Sequence, residues 1–325
     1  SAIGLLMIMG LGLCLALCRP YCPNKFDCNS YIGMAENISN LFQYPLHHAA
    51  RLLPSAIAYC VNKIGFADIE TTFTIISCGA FLCFLLGLFG FFRTIGRIDP
   101  IQSFGFALLI GTSSWPMTYN LSLVYQGTDA LTYPFTLGLI YFSLKKKSGV
   151  VMALSLIGLM VRQSLIPVSF FSLLYLFFNS DRRQAFIKLV VFLIVTVGYL
   201  YLFRGSSLSA HLLQDLSEMG FGFFVMIIND SGFLIYFCPF IGIMVIHGRQ
   251  VLKYIKEYWC FGLGHFVVIF QPFLAYSITG PANFGRLAVQ GLWPLFLITC
   301  IIMGRLEKPN LAKILPKFRE IVYIF

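Results

Sequence analysis

The chain has 325 residues, 58% of them hydrophobic and 11% charged, with a mean hydropathy of +0.82 and a formal net charge of +10. Soluble domains carry roughly 25% charged residues, so this balance excludes an ordinary soluble protein and points to a polytopic membrane protein. The positive charge would suit nucleic acid or anionic lipid; its distribution along the chain argues against nucleic acid.

A spanning helix needs about 20 mostly apolar residues to cross a hydrocarbon core of roughly 30 Å. The apolar runs predict ten spans, at 1–20, 71–92, 101–124, 128–144, 149–162, 164–179, 184–203, 231–247, 258–278 and 286–304. The expected fold is therefore all-α, with residues 1–325 forming a single transmembrane domain. The chain opens Ser-Ala-Ile, without Met or a basic stretch, so the first run reads as a retained span rather than a signal peptide. The fifth and sixth spans are short and separated only by Arg162 and Gln163, which leaves open that one is a half-crossing.

Two segments between spans are too long for simple turns. In 20–70, YPLHHAARLLPSAIAYCVNKIGF repeats apolar residues at helical spacing, which predicts an amphipathic helix lying in the interface. The segment 205–230 reads the same way, and 305–325 is a basic tail. Sixteen of the 23 Lys and Arg fall in every second loop: Arg93 and Arg97, Lys145–Lys147, Arg182, Arg183 and Lys188, Arg249, Lys253 and Lys256, and the tail. This is the positive-inside pattern, so both termini are expected in the cytoplasm and the segments 20–70 and 205–230 outside. Of the ten cysteines, most lie in apolar runs as small hydrophobes. Cys22 and Cys28 fall outside, where a bridge between them is open but not fixed.

Few residues are left for chemistry. Asp27 is one of only 13 acidic residues and follows the first span; it reads either as a proton acceptor at the mouth of the bundle or as a plain loop or capping carboxylate. Asp129, after Gly127 and Thr128, carries the same two readings. Arg162 is either a snorkelling anchor or a functional cation, and Arg286 beside Asn283 is either a loop charge or a phosphate ligand. His47 and His48 read as interfacial residues of the amphipathic helix; no third metal ligand stands at suitable spacing, so no divalent metal is indicated. There is no Walker loop and no GxGxxG, so an enzyme built this way would draw on a lipid-linked donor.

Four stretches carry a resemblance in order and spacing. They are D-x-x-x-Y-x-x-x-A at Asp27, Tyr31 and Ala35, followed by P-x-x-x-x-A-R-L-L-P (45–54); YQGTDALTYP (125–134); GLMVRQS (158–164); and NFGRLAVQGLWPLFL (283–297). Together they resemble bacterial membrane glycosyltransferases of the GT-C superfamily. The resemblance implies an enzyme of the cytoplasmic membrane that transfers a sugar from a polyprenyl-phosphate carrier to a lipid or glycan acceptor at the outer face. It implies that Asp27 acts as base or orients the acceptor, that Asp129 supports it, and that Arg162 or Arg286 contacts the donor phosphate. Tyr31, His47, His48, Arg51 and Asn283 are then substrate-binding positions. The chain departs from members with a second acid beside the first, since Cys28 and Asn29 follow Asp27, and from those with a large C-terminal soluble domain. A lipid or solute transporter, or a non-catalytic assembly subunit of the same fold, are the alternatives.

Overall fold

The computed structural model describes residues 2–17, 25–44, 46–112, 127–202, 242, 245–257, 259, 263–264 and 297–304. Among the described residues the chain is helical, with no strand.

The first helix, α1 (Ala2–Leu17), is apolar on every side but buries only Leu6, Gly10 and Cys14, a stripe at four-residue spacing. A cap follows: α2 (Lys25–Glu36), a 3-10 turn (Ile38–Gln43) opened by Asn37, α3 (Leu46–Ala49) and α4 (Leu52–Lys63). The amphipathic helix expected in 44–66 is thus two helices, broken at Ala50 and Arg51. Two residues past the end of α4 stands Gly65, whose φ of 69° lets the chain turn toward α5.

Helix α5 (Ile69–Phe91) is capped by Asp68, which accepts the Thr71 N–H at 2.7 Å, and runs on into a π-turn (Phe92–Gly96). Helix α6 (Pro100–Gly111) starts with Asp99 as cap and proline at its first position, where the missing N–H costs nothing. Then come α7 (Gly127–Leu144), α8 (Ser148–Val161), α9 (Leu165–Asn179) and α10 (Arg182–Leu202), the last opened by Asp181 accepting from the Arg183 and Gln184 amides. Helix α11 (Gly248–Glu257) stands where the sequence suggested only a basic loop. Its apolar residues Val251, Leu252, Tyr254 and Ile255 have helical spacing, which the clustered charges hide.

Helix α5 is the hub, packed by α1, α4, α6 and α7. Glycines set these approaches: Gly10 lies against Leu82 and Leu85, Gly111 against Leu85, and Gly87 against Leu137. Small residues that admit a neighbour's leucine give close helix contacts without needing a hydrophobic driving force.

The bundle has two distinct ends. Lys188 Nζ donates to Ser148 Oγ, joining the starts of α8 and α10 beside the turn Lys145–Lys147. Arg93 Nη1 donates to the Ile98 carbonyl at 2.6 Å, and Gly304 lies against Ile98. The clusters at 93–97, 145–147 and 182–188 therefore share one basic end. Arg97 and Lys146 both take the left-handed conformation there, each with φ 55°. At the opposite end the Tyr199 hydroxyl donates to the Ala50 carbonyl, tying α10 to the cap.

Two helices, Ile69–Gly96 and Arg182–Leu202, are long and apolar enough to cross a membrane, and five more are apolar but shorter. These seven correspond to the first seven expected spans. The expected eighth span lies outside the described residues but for a few positions, as does the ninth; the tenth is described from 297 to 304. The segment 205–230, the tail 305–325 and the Cys22–Cys28 pair's side chains also lie outside them.

Candidate functional site

The site forms where the cap meets the turn between α8 and α9. Helix α8 stops because Arg162 turns extended, at φ −165° and ψ 140°, while its N–H still bonds the Gly158 carbonyl. The chain re-enters at once: Leu165 N–H bonds the Arg162 carbonyl and Ile166 N–H that of Gln163. The expected pair of short segments is thus a tight helical hairpin of 14 and 15 residues. At about 1.5 Å per residue each arm is only about 22 Å long.

The hairpin's register fixes the depth of its turn. Gly138 lies against Leu154 and Gly158 against Phe135, so α7 and α8 run antiparallel with position 129 level with 163–164. On the other side Gly87 meets Leu137, and Phe84 packs on Tyr133 with ring centroids 5.4 Å apart. Position 129 is therefore level with residue 80 of α5, about 16 Å short of that helix's start. Helices α2, α3 and α4 fill the space above: Tyr31, Met34, Ala49 and Ala58 are buried in one cluster with Phe73 of α5.

Arg51, in the break between α3 and α4, joins three pieces of chain. Its Nη1 donates to the Tyr31 hydroxyl at 3.1 Å and its Nε to Gln163 Oε1 at 3.3 Å. Tyr31 is 2% exposed, and its own carbonyl accepts from Ser55 Oγ at 3.0 Å, which pins α2 to α4. His48, equally buried, meets Tyr31 edge-on at 5.1 Å between ring centroids. Arg162 is 3% exposed, and Ser164 beside it is buried too, with a hydroxyl that finds no hydrogen-bond partner among the described residues. A charge desolvated to this degree is costly unless it is paired and hydrogen-bonded.

Of the residues singled out from the sequence, the structure brings Tyr31, His48, Arg51 and Arg162 to this one level. Asp27 is the third residue of α2, one turn before Tyr31, and Asp129 the third of α7, level with the hairpin turn. Each acid lies inside a first turn, whereas Asp68, Asp99 and Asp181 stand one position ahead of their helices as caps. His47 lies in α3; Asn283 and Arg286 fall outside the described residues. The sequence reading missed Gln163, Ser164 and Ser55. A glutamine interrupting two apolar runs was the available signal for the first, while the others look like any small polar residue.

Among the described residues no group of His, Cys, Asp and Glu is set to hold a metal ion. What the arrangement offers is cationic and hydrogen-bonding: two guanidiniums, a tyrosine hydroxyl and an amide at a recessed level, with the backbone of two acids at its edge. No family model, curated protein or solved structure matches the chain.

Proposed function

We propose that the chain is an integral membrane glycosyltransferase of GT-C-like fold, taking a sugar from a polyprenyl-phosphate donor to a lipid or glycan acceptor at the outer face of the cytoplasmic membrane. The membrane part is supported by α10, whose most apolar stretch is only 22% buried, with Ile194 and Val197 each 67% exposed. A helix apolar all round and packed on one side needs lipid on the others. Helix α1 argues the same way, with Leu15 87% exposed. In this reading ten spans cross the bilayer, the basic end faces the cytoplasm along with both termini, and the cap lies outside.

The transferase part is supported by the buried Arg162, next in the chain to the Gln163 that Arg51 holds, at the level of position 129. Cations held away from water stabilise charge developing on a leaving phosphate far better than solvated ones do. Asp27 takes the proton of the acceptor hydroxyl as its oxygen attacks the anomeric carbon; the bond from that carbon to the phosphate oxygen breaks, and the freed polyprenyl phosphate keeps the electron pair against the arginines. Direct attack inverts the anomeric centre.

The deciding experiment replaces Asp27 by Asn and follows labelled sugar from the lipid carrier in membranes with matched protein levels. Loss of transfer by about 100-fold or more is expected of a general base. Undiminished transfer would sink this role for Asp27.

A further inference from the structure

Helix α11 has a feature that sugar transfer does not use. Around its axis Val251, Tyr254 and Ile255 form one face: Val251 is buried, and Tyr254 packs on the cluster that contains Phe92, Ile98 and Ile301. This anchors the helix at the basic end of the bundle. Beside the buried face comes an apolar position that the bundle leaves uncovered, Leu252 at 59% exposed, and past the helix's end Trp259 keeps 39% of its surface exposed. Next around the helix stand Arg249, Lys253 and Lys256, all exposed, and beyond them Gln250 and Glu257. The order is core, bare apolar edge, cations, then neutral and acidic polar residues.

The chain beyond α11 fixes its level. Trp259 packs on Phe178 near the end of α9, with ring centroids 5.8 Å apart, while Gly264 already lies against Phe171 and Pro167, two to three turns up α9. The polypeptide thus climbs into the apolar layer directly after α11. That helix lies at the layer's rim, at the basic end of the bundle.

The geometry points to α11 as an interfacial helix that recruits anionic phospholipid: Arg249, Lys253 and Lys256 hold the headgroups while Leu252 and Trp259 enter the acyl layer. Charge complementarity selects the occupant. An arc of three cations flanked by a bare apolar edge offers a polyanionic surface one half of what it needs and an acyl layer the other. Among the described residues, Glu257 is the only acid on α11, and it stands on the far side of the arc. This inference rests on the membrane reading above and is independent of sugar transfer.

The test uses the full chain with Trp115 and Trp293 replaced by Phe, leaving Trp259 as the sole indole. It is reconstituted in phosphatidylcholine vesicles in which an equal mole fraction of either phosphatidylglycerol or phosphatidylcholine carries brominated acyl chains. Brominated phosphatidylglycerol is expected to quench Trp259 at least about twofold more strongly, and raising the salt should bring that ratio toward one. Arg249→Gln, Lys253→Gln and Lys256→Gln together should abolish the preference at low salt; if that variant fails to reconstitute, the salt titration of the parent chain carries the same information. Equal quenching by the two lipids at low salt, or a preference that survives both salt and the glutamine substitutions, overturns the proposal. A control moves the indole to α10 as Ile194→Trp with Trp259→Phe. Quenching there but not at Trp259 defeats the lipid site alone, whereas quenching at neither position defeats the membrane reading.

Discussion

The Arg51 guanidinium reaches back 20 residues to the hydroxyl of Tyr31 and forward 112 to the amide of Gln163, so one side chain binds the cap's first helix to the turn of the α8–α9 hairpin. Hydrogen bonds to a charged group contribute about 1.5–3 kcal/mol when half-buried and well aligned. Tyr31→Phe and Gln163→Ala should each destabilise by about 1–2 kcal/mol, and together by less than their sum, because both act through Arg51. Arg51→Lys should cost nearly as much as losing both partners, since an ammonium cannot reproduce the fork. Thermal unfolding of the detergent-solubilised protein measures all four variants, and strict additivity would contradict the shared anchor.

Arg162 should separate binding from chemistry. If it stabilises charge on the departing phosphate, Arg162→Gln lowers kcat for sugar transfer by about 100-fold while KM for the lipid donor changes little, and Arg162→Lys keeps a measurable fraction of the rate. A rise in KM alone would make it a donor-binding residue only.

The cap of α5 titrates. The Thr71 amide, and after it the Thr71 hydroxyl, hold the Asp68 carboxyl below its ordinary value of 3.8. A carboxyl depressed in the folded state binds fewer protons there than in the unfolded one. Its contribution is complete above the ordinary value and is lost as pH falls through the folded value. Asp68→Asn keeps a capping oxygen but cannot titrate, so the difference in unfolding temperature between parent and variant should shrink steadily below about pH 4. A difference independent of pH would show that the carboxylate is not felt.

The two ends of the bundle should face opposite sides of the bilayer. Cys60, exposed on the cap, should react with a membrane-impermeant maleimide added outside intact cells. A cysteine introduced by Lys146→Cys, in a chain otherwise free of cysteine, should react only after permeabilisation. Labelling of both from one side would refute the crossing pattern.

Much of the bundle can be read from composition, because seven of the expected apolar runs are helical where they are described, two of them long enough to span a membrane, and the break at Arg162 follows from a polar pair between two apolar runs. Helix α11 was hidden because Arg249, Lys253 and Lys256 look like a solvated cluster unless the residues between them are placed on a helix. The level of the site was not legible at all. Whether Asp129 falls beside Gln163 or a turn away depends on Phe135 meeting Gly158 and Gly138 meeting Leu154, pairings across helices that no local pattern encodes. Likewise Gln163 has meaning only because Arg51 reaches it from another element.

Arg97 and Lys146 close two helices in a conformation that glycine adopts freely and other residues enter at about 1–2 kcal/mol. Glycine at either place would make the better hinge. It would also delete a cation from one of the two clusters on which the proposed orientation in the bilayer rests. Under the orientation proposed above, the polypeptide gives up some folding stability at both corners to keep its topology signals, and a variant relieved of that tension should be sturdier once folded but more often inverted during synthesis.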